Sequence, residues 1–270
     1  MTPRILRTGA PLTLEGIRHA APAVFAEHAH DSRGPRYQYV PTIRPLEALM
    51  ANNWGVYEVS QARPNAADRK SFCRHMLRLR RLQDFDVGNR DGVPELIIKN
   101  AHDGTSAYEM TAGFFRLVCS NGMVVGKQLT GFRVIHSVNK HTTDAILQNA
   151  ESVVVDKFPK MMENIEAFKA KMLDYEQRLA LAQDAMRLRY GSSLPPFEAE
   201  ALLKVRRPID AADDAWTVLN RIQENVLQGG WETRSIFSGR RSAVRPVEAV
   251  EPVLRINQGL WDKTLELVSA

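Results

Sequence analysis

Arg63, Arg69, Lys70, Arg74, Arg78, Arg80 and Arg81 stand against a single acid, Asp68, within nineteen residues of chain. Inside this run, His75 to Leu82 alternates by type, so Leu77 and Leu79 point one way from a strand while Met76, Arg78 and Arg80 point the other. A two-residue repeat of about 7 Å matches the phosphate spacing of an extended single strand, so one sheet face is expected to be basic and to contact nucleic acid. The other reading of the same pattern is a solvated strand face whose arginines pair with carboxylates such as Asp84 and Asp86. Arg74, Arg78, Arg80 and Arg81 are therefore candidate phosphate contacts, and Arg116 and Arg133 on adjoining strands join them if their faces match. A second cluster, Arg234, Arg240, Arg241 and Arg245, faces only Glu232 and lies in a stretch of small residues suited to gripping phosphate; a disordered surface loop is its alternative. Tyr57, Phe72, Tyr108, Phe114 and Phe132 are the aromatic groups that could stack bases, and each is more readily a core residue.

Bond-breaking chemistry is harder to assemble. Glu95 and Lys99, with Asp84 and Asp86 nearby, suggest a nuclease cluster, but four residues of strand separate the two where two would place both beside one metal. His28 and His30 lack a third ligand, and Cys119 with His136 is a nucleophile pair only if an apolar-strand cysteine is not simply core. The serine-elbow, Walker and dinucleotide glycine patterns are missing. Neither catalysis nor a metal nor a cofactor is expected.

The elements that must carry these residues follow from period and turn chemistry. Residues 1–36 mix Pro, Gly, His and Arg and read as an N-terminal arm with a short helix near Leu14 to His19. From Tyr37 to about residue 141 an antiparallel meander is expected, with strands at Gly55 to Gln61, Phe72 to Gln83, Glu95 to Asn100, Ser106 to Ser120, Met123 to Gly126 and Phe132 to His136. Asn121-Gly122 is its strongest turn signal, because both central residues of a tight hairpin need positive φ. Residues 142–230 read as a helical region packing on that core, dominated by one long helix whose seam runs Met161, Ile165, Phe168, Met172, Tyr175, Leu179, Ala182, Met186. The stripe is either internal or an interface with a second copy. Residues 231–270 comprise the arginine-rich loop and a final helix from Arg255. The fold class is α+β: a β-meander core followed by a long helix and a helical C-terminal region.

The string Arg116 to Gly126, RLVCSNGMVVG, resembles the core motif of the phage- and plasmid-borne family catalogued as domain of unknown function 932, and RINQGLWD (Arg255 to Asp262) is similar to its C-terminal pattern. That resemblance implies a gene of a mobile element and carries over no catalytic residue. The order of elements is similar in layout to phage single-strand annealing proteins, an analogy of fold alone.

A net charge of +5 and a sequence pI near 9.3 suit a polyanionic partner. No apolar run approaches the roughly 18 residues of a membrane span, and no signal-peptide core precedes the histidine-rich segment, so a cytoplasmic protein is expected. Together these readings point to a mobile-element protein that binds single-stranded DNA, self-associates, and anneals or protects strands. A protein-binding inhibitor of a host defence nuclease is the alternative.

Overall fold

The computed structural model describes residues 4–82, 92–116, 121–124, 130–134, 156–193, 195, 197–234, 239 and 241–269. Strands β1 (Arg4–Arg7), β2 (Trp54–Gln61), β3 (His75–Arg81), β4 (Val93–Asn100) and β5 (Tyr108–Arg116) lie side by side in that order, each antiparallel to its neighbour. The outer side of β5 is shared between β6 (Asn121–Val124) and β7 (Thr130–Val134). The fold class is α+β.

Register assigns the two faces. Leu77 sits opposite Val59 and Ile98, Leu79 opposite Val56 and Leu96, and Met110 and Ala112 continue the row from β5, which makes the middle of one face apolar, with Gln61, His75 and Asn100 side by side at its end. The opposite face carries Glu58, Arg78, Arg80, Glu95, Lys99 and Glu109. It is covered as well: β2 is buried along its whole length, and β3 and β4 nearly so.

Three expectations need correction. Asn121 and Gly122 belong to β6, so the link from β5 falls on residues 117–120, outside the described residues. The segment read as an arm supplies an edge strand, with Arg4 to Arg7 pairing Gln61 to Glu58, and a helix α1 (Leu14–Ala20) whose Ile17 and Ala20 are buried. Four residues are too few for alternation to register, and backbone pairing at an edge asks little of side-chain type. The long helix is two, α3 (Phe158–Ala170) and α4 (Tyr175–Tyr190), preceded in the chain by α2 (Ile43–Ala51). Asp174 starts α4 with a capping box, accepting from the Gln177 amide at 2.8 Å while the Gln177 side chain accepts from the Asp174 amide at 3.0 Å.

The chain divides into two compact units, residues 1–123 with 129–159, and 124–128 with 160–270. In the second, the break between α3 and α4 is stitched to the start of α5 (Ala215–Gln228) by backbone bonds from Leu173 to Asp213 and from Ala215 to Lys171. Helix α5 is buried from Ala215 to Val226, and several of its polar side chains bond within the protein, as where Gln223 donates to Asn257 of α6 (Val250–Ser269) at 2.8 Å. Gly259 lets α6 approach α4, since a Cβ there would lie 2.4 Å from Leu188. The arginine-rich stretch holds a short hairpin, β8 (Glu232–Arg234) with β9 (Arg241–Ala243). Among the described residues no helix is long and apolar enough to cross a membrane.

Candidate nucleic-acid interface

Arg78 and Arg80 share one face, as the alternation requires, but that face is not a solvent-exposed basic surface. Their exposures are 2% and 1%. Arg78 Nη1 donates to Glu95 Oε2 at 2.6 Å and Arg80 Nε to Glu95 Oε1 at 2.7 Å, with Glu58 Oε1 3.9 Å from Arg78 Nε. The Arg80 guanidinium lies 3.4 Å from the Phe115 ring centre and 4.7 Å from that of Tyr57. Burial pushes it below the usual arginine range, with Glu95 pulling the other way. Beside this group Lys99 Nζ meets Glu109 Oε2 at 2.8 Å. The basic face is thus a charge-balanced ionic layer. The signal for it lay in β2 and β4, where Glu58 and Glu95 have the parity to meet the arginines, whereas Asp84 and Asp86 lie outside the described residues.

The arginines at the start of the same run are placed differently. The connection from β2 to β3 passes through a short 3-10 turn, Ala67–Ser71, and walls a cleft of about 500 Å³ lined by Arg63, Asn65, Arg69, Cys73, Arg74, Asp103 and Thr105. A second cleft of about 380 Å³ shares Ala62, Arg63, Pro64 and Ala66 and adds Lys70. Arg63 and Lys70 are exposed, and Arg69 and Arg74 half-buried. Arg74 Nη2 is steadied by the Thr105 carbonyl at 2.6 Å. Among the described residues the side chains of Arg63, Arg69 and Lys70 have neither hydrogen-bond nor ion-pair partners. The exposed acid of the turn, Asp68, is turned to His30 Nε2 at 3.1 Å.

Beneath the cleft floor lies a buried polar core absent from the sequence-based expectations. His75 Nδ1 is 3.0 Å from the Cys73 carbonyl and donates to it, while its Nε2 lies 2.8 Å from the Thr42 hydroxyl. Asn100 Nδ2 in turn donates to Thr42 Oγ1 at 3.0 Å. This network holds β3 and the β4–β5 turn in place, and with them Arg74 and Asp103. Burial, reinforced by the Asp103 carboxylate, pushes the Cys73 thiol up to about 12, which leaves it a poor nucleophile.

Of the remaining candidates, Arg81 is half-buried over the Trp54 ring at 5.5 Å. Arg116 ends β5 and Arg133 lies in β7 opposite Glu109. Arg234 pairs with Arg241 across the β8–β9 hairpin; Arg241 and Arg245 are exposed, and Arg240 lies outside the described residues, as do Cys119 and His136. Tyr108 and Phe114 are fully buried and Tyr57 nearly so, which removes them as stacking platforms in this structure. His28 and His30 pack on the Phe72 ring at 5.3 and 5.2 Å.

A family model described as "Domain of unknown function (DUF932)" matches residues 29–261. The chain is 36% identical over 259 residues to the UPF0380 protein YafZ of Escherichia coli (strain K12) and 35% identical over 259 residues to the UPF0380 protein YfjQ of the same strain. In both cases this covers 95% of the chain and 92% of the relative. No solved structure matches.

Proposed function

We propose that this chain, which belongs to the DUF932 family, binds single-stranded DNA through the cleft lined by Arg63, Arg69 and Arg74. The observation that carries the reading is the state of these cations. Arg63 and Arg69 keep their donors unspent in an open cleft, whereas Arg78 and Arg80 consume theirs on Glu95. Guanidiniums on a concave surface grip successive phosphates without reading a base sequence, and the formal charge of +5 favours encounter with a polyanion. The exposed Arg241 and Arg245 offer further contacts in the second unit.

The proposed role is holding strands, in annealing or protection, and not breaking them: the Glu95 carboxylate is engaged by two arginines and the Cys73 thiol stays protonated. The likeness of Arg116 to Gly126 to a phage and plasmid motif supports a cytoplasmic, mobile-element setting. Self-association belongs to the same proposal, and of the α3–α4 seam only Met172 and Tyr175 are strongly exposed to meet a second copy.

Fluorescence anisotropy over a salt series tests the reading. Each phosphate contact on a single strand contributes a slope of about −0.7 in log affinity against log salt. Arg63→Ala with Arg69→Ala should therefore make the slope shallower by about 1.4 and weaken binding at every salt concentration. Wild-type protein that binds no single strand at about 50 mM salt, or binds regardless of salt, would overturn it.

A further inference from the structure

The cleft holds one group that phosphate does not explain. Asp103 is 4% exposed and lines the cleft with Arg63, Arg69 and Arg74, yet among the described residues it forms no ion pair with any of them. Its Oδ1 accepts from the Thr105 amide at 3.1 Å and the Thr105 hydroxyl at 2.6 Å. Among the described residues its Oδ2 has no hydrogen-bond partner. That oxygen is not sealed off from the cleft, so it is open to an N–H donor from a ligand seated there. Gly104, at φ +79°, belongs to the same turn, and the two Thr105 bonds to Oδ1 hold the carboxylate within it.

We propose that the cleft takes one whole nucleotide unit of the strand, with the arginines on its phosphate and Asp103 Oδ2 accepting an N–H from the edge of its base. The inference rests on the single-strand reading and deepens it. Inside a DNA strand the sugar has no free hydroxyl, so the donors on offer are the exocyclic amines of adenine, cytosine and guanine and the ring N–H of guanine and thymine. Every base carries at least one, so a single acceptor tolerates all four while still requiring that a base be present. A cleft of about 500 Å³ falls in the size range of small-molecule sites.

The test compares an ordinary mixed-sequence oligonucleotide with an abasic strand of the same length and phosphate count. Wild-type protein should bind the abasic strand about tenfold more weakly, the loss expected for one hydrogen bond to a charged acceptor. Asp103→Asn removes the acceptor charge and turns a donor toward the base, so it should weaken the ordinary strand and leave the abasic strand unchanged or slightly tighter. Circular dichroism melting accompanies the variant, and the wild-type comparison of the two strands stands without it. Equal binding of both strands by wild-type protein, or equal tightening of both by Asp103→Asn, would overturn the nucleotide site while leaving phosphate binding intact. Binding of neither strand would overturn the single-strand reading itself.

Discussion

Arg78 and Arg80 show how a correct periodicity can carry the wrong surface. Period two places them on one face and Leu77 and Leu79 on the other, and that much was readable from the spacing of like residues. Which face meets water was not, because it depends on what β2 and β4 set beside the guanidiniums, and Glu58 and Glu95 are remote in sequence. The burial changes the expected consequence of mutation. Removing one partner of a buried pair leaves an uncompensated charge, so Glu95→Gln should cost about 3–5 kcal/mol in urea unfolding. Arg78→Ala with Arg80→Ala should likewise lower the melting temperature sharply while changing DNA affinity little per folded molecule. An unchanged melt with lost DNA binding would restore the exposed basic face. Asp103 was legible only as part of a turn signal, His102-Asp103-Gly104, since a lone acid among arginines looks like neutralisation until its hydrogen bonds are known.

At the scale of elements, the strands were legible within a few residues because β-branched runs and Gly-containing turns mark them, and the exceptions have local causes. A seam spaced four and three residues apart runs across Met172 and Tyr175 without a break, so periodicity alone joins α3 to α4. What interrupts it is backbone bonding to Asp213 and Lys171 together with the cap at Asp174, and neither alters the apolar spacing. Asp174→Ala should therefore cost about 1 kcal/mol of stability, the usual worth of a side-chain N-cap, read by thermal melting. If the helix were continuous, the substitution would be neutral or slightly stabilising, since alanine is the better residue inside a helix. The seam's destination also follows: Phe168 is fully buried with its ring 5.1 Å from that of Trp261, so Phe168→Glu should lose helicity along with any assembly.

For the whole molecule, burial of groups that ionise only in alkali predicts how stability varies with pH. Cys73 is pushed up to about 12 by burial, with Asp103 adding to it, and Tyr39 up to about 12 by burial, against the pull of Arg44. Both hold their protons more tightly folded than unfolded, the unfolded values being about 8.5 and 10. Their contribution is fully present below the unfolded values and is lost as pH rises through the folded ones, because the unfolded chain releases the proton first and is thereby favoured. Urea unfolding should consequently show stability level from pH 7 to 8.5 and falling between about 9 and 12. Each group contributes at most about 1.4 kcal/mol per pH unit to the slope. Cys73→Ala should flatten the first part of that fall, near pH 9 to 10, where the thiol alone has begun to titrate in the unfolded chain. A wild-type profile that stays level to pH 11, or a Cys73→Ala profile that superimposes on it, would show that the thiol is not withdrawn from water behind Arg74 and Asp103, and the wall of the proposed nucleotide cleft would have to be redrawn.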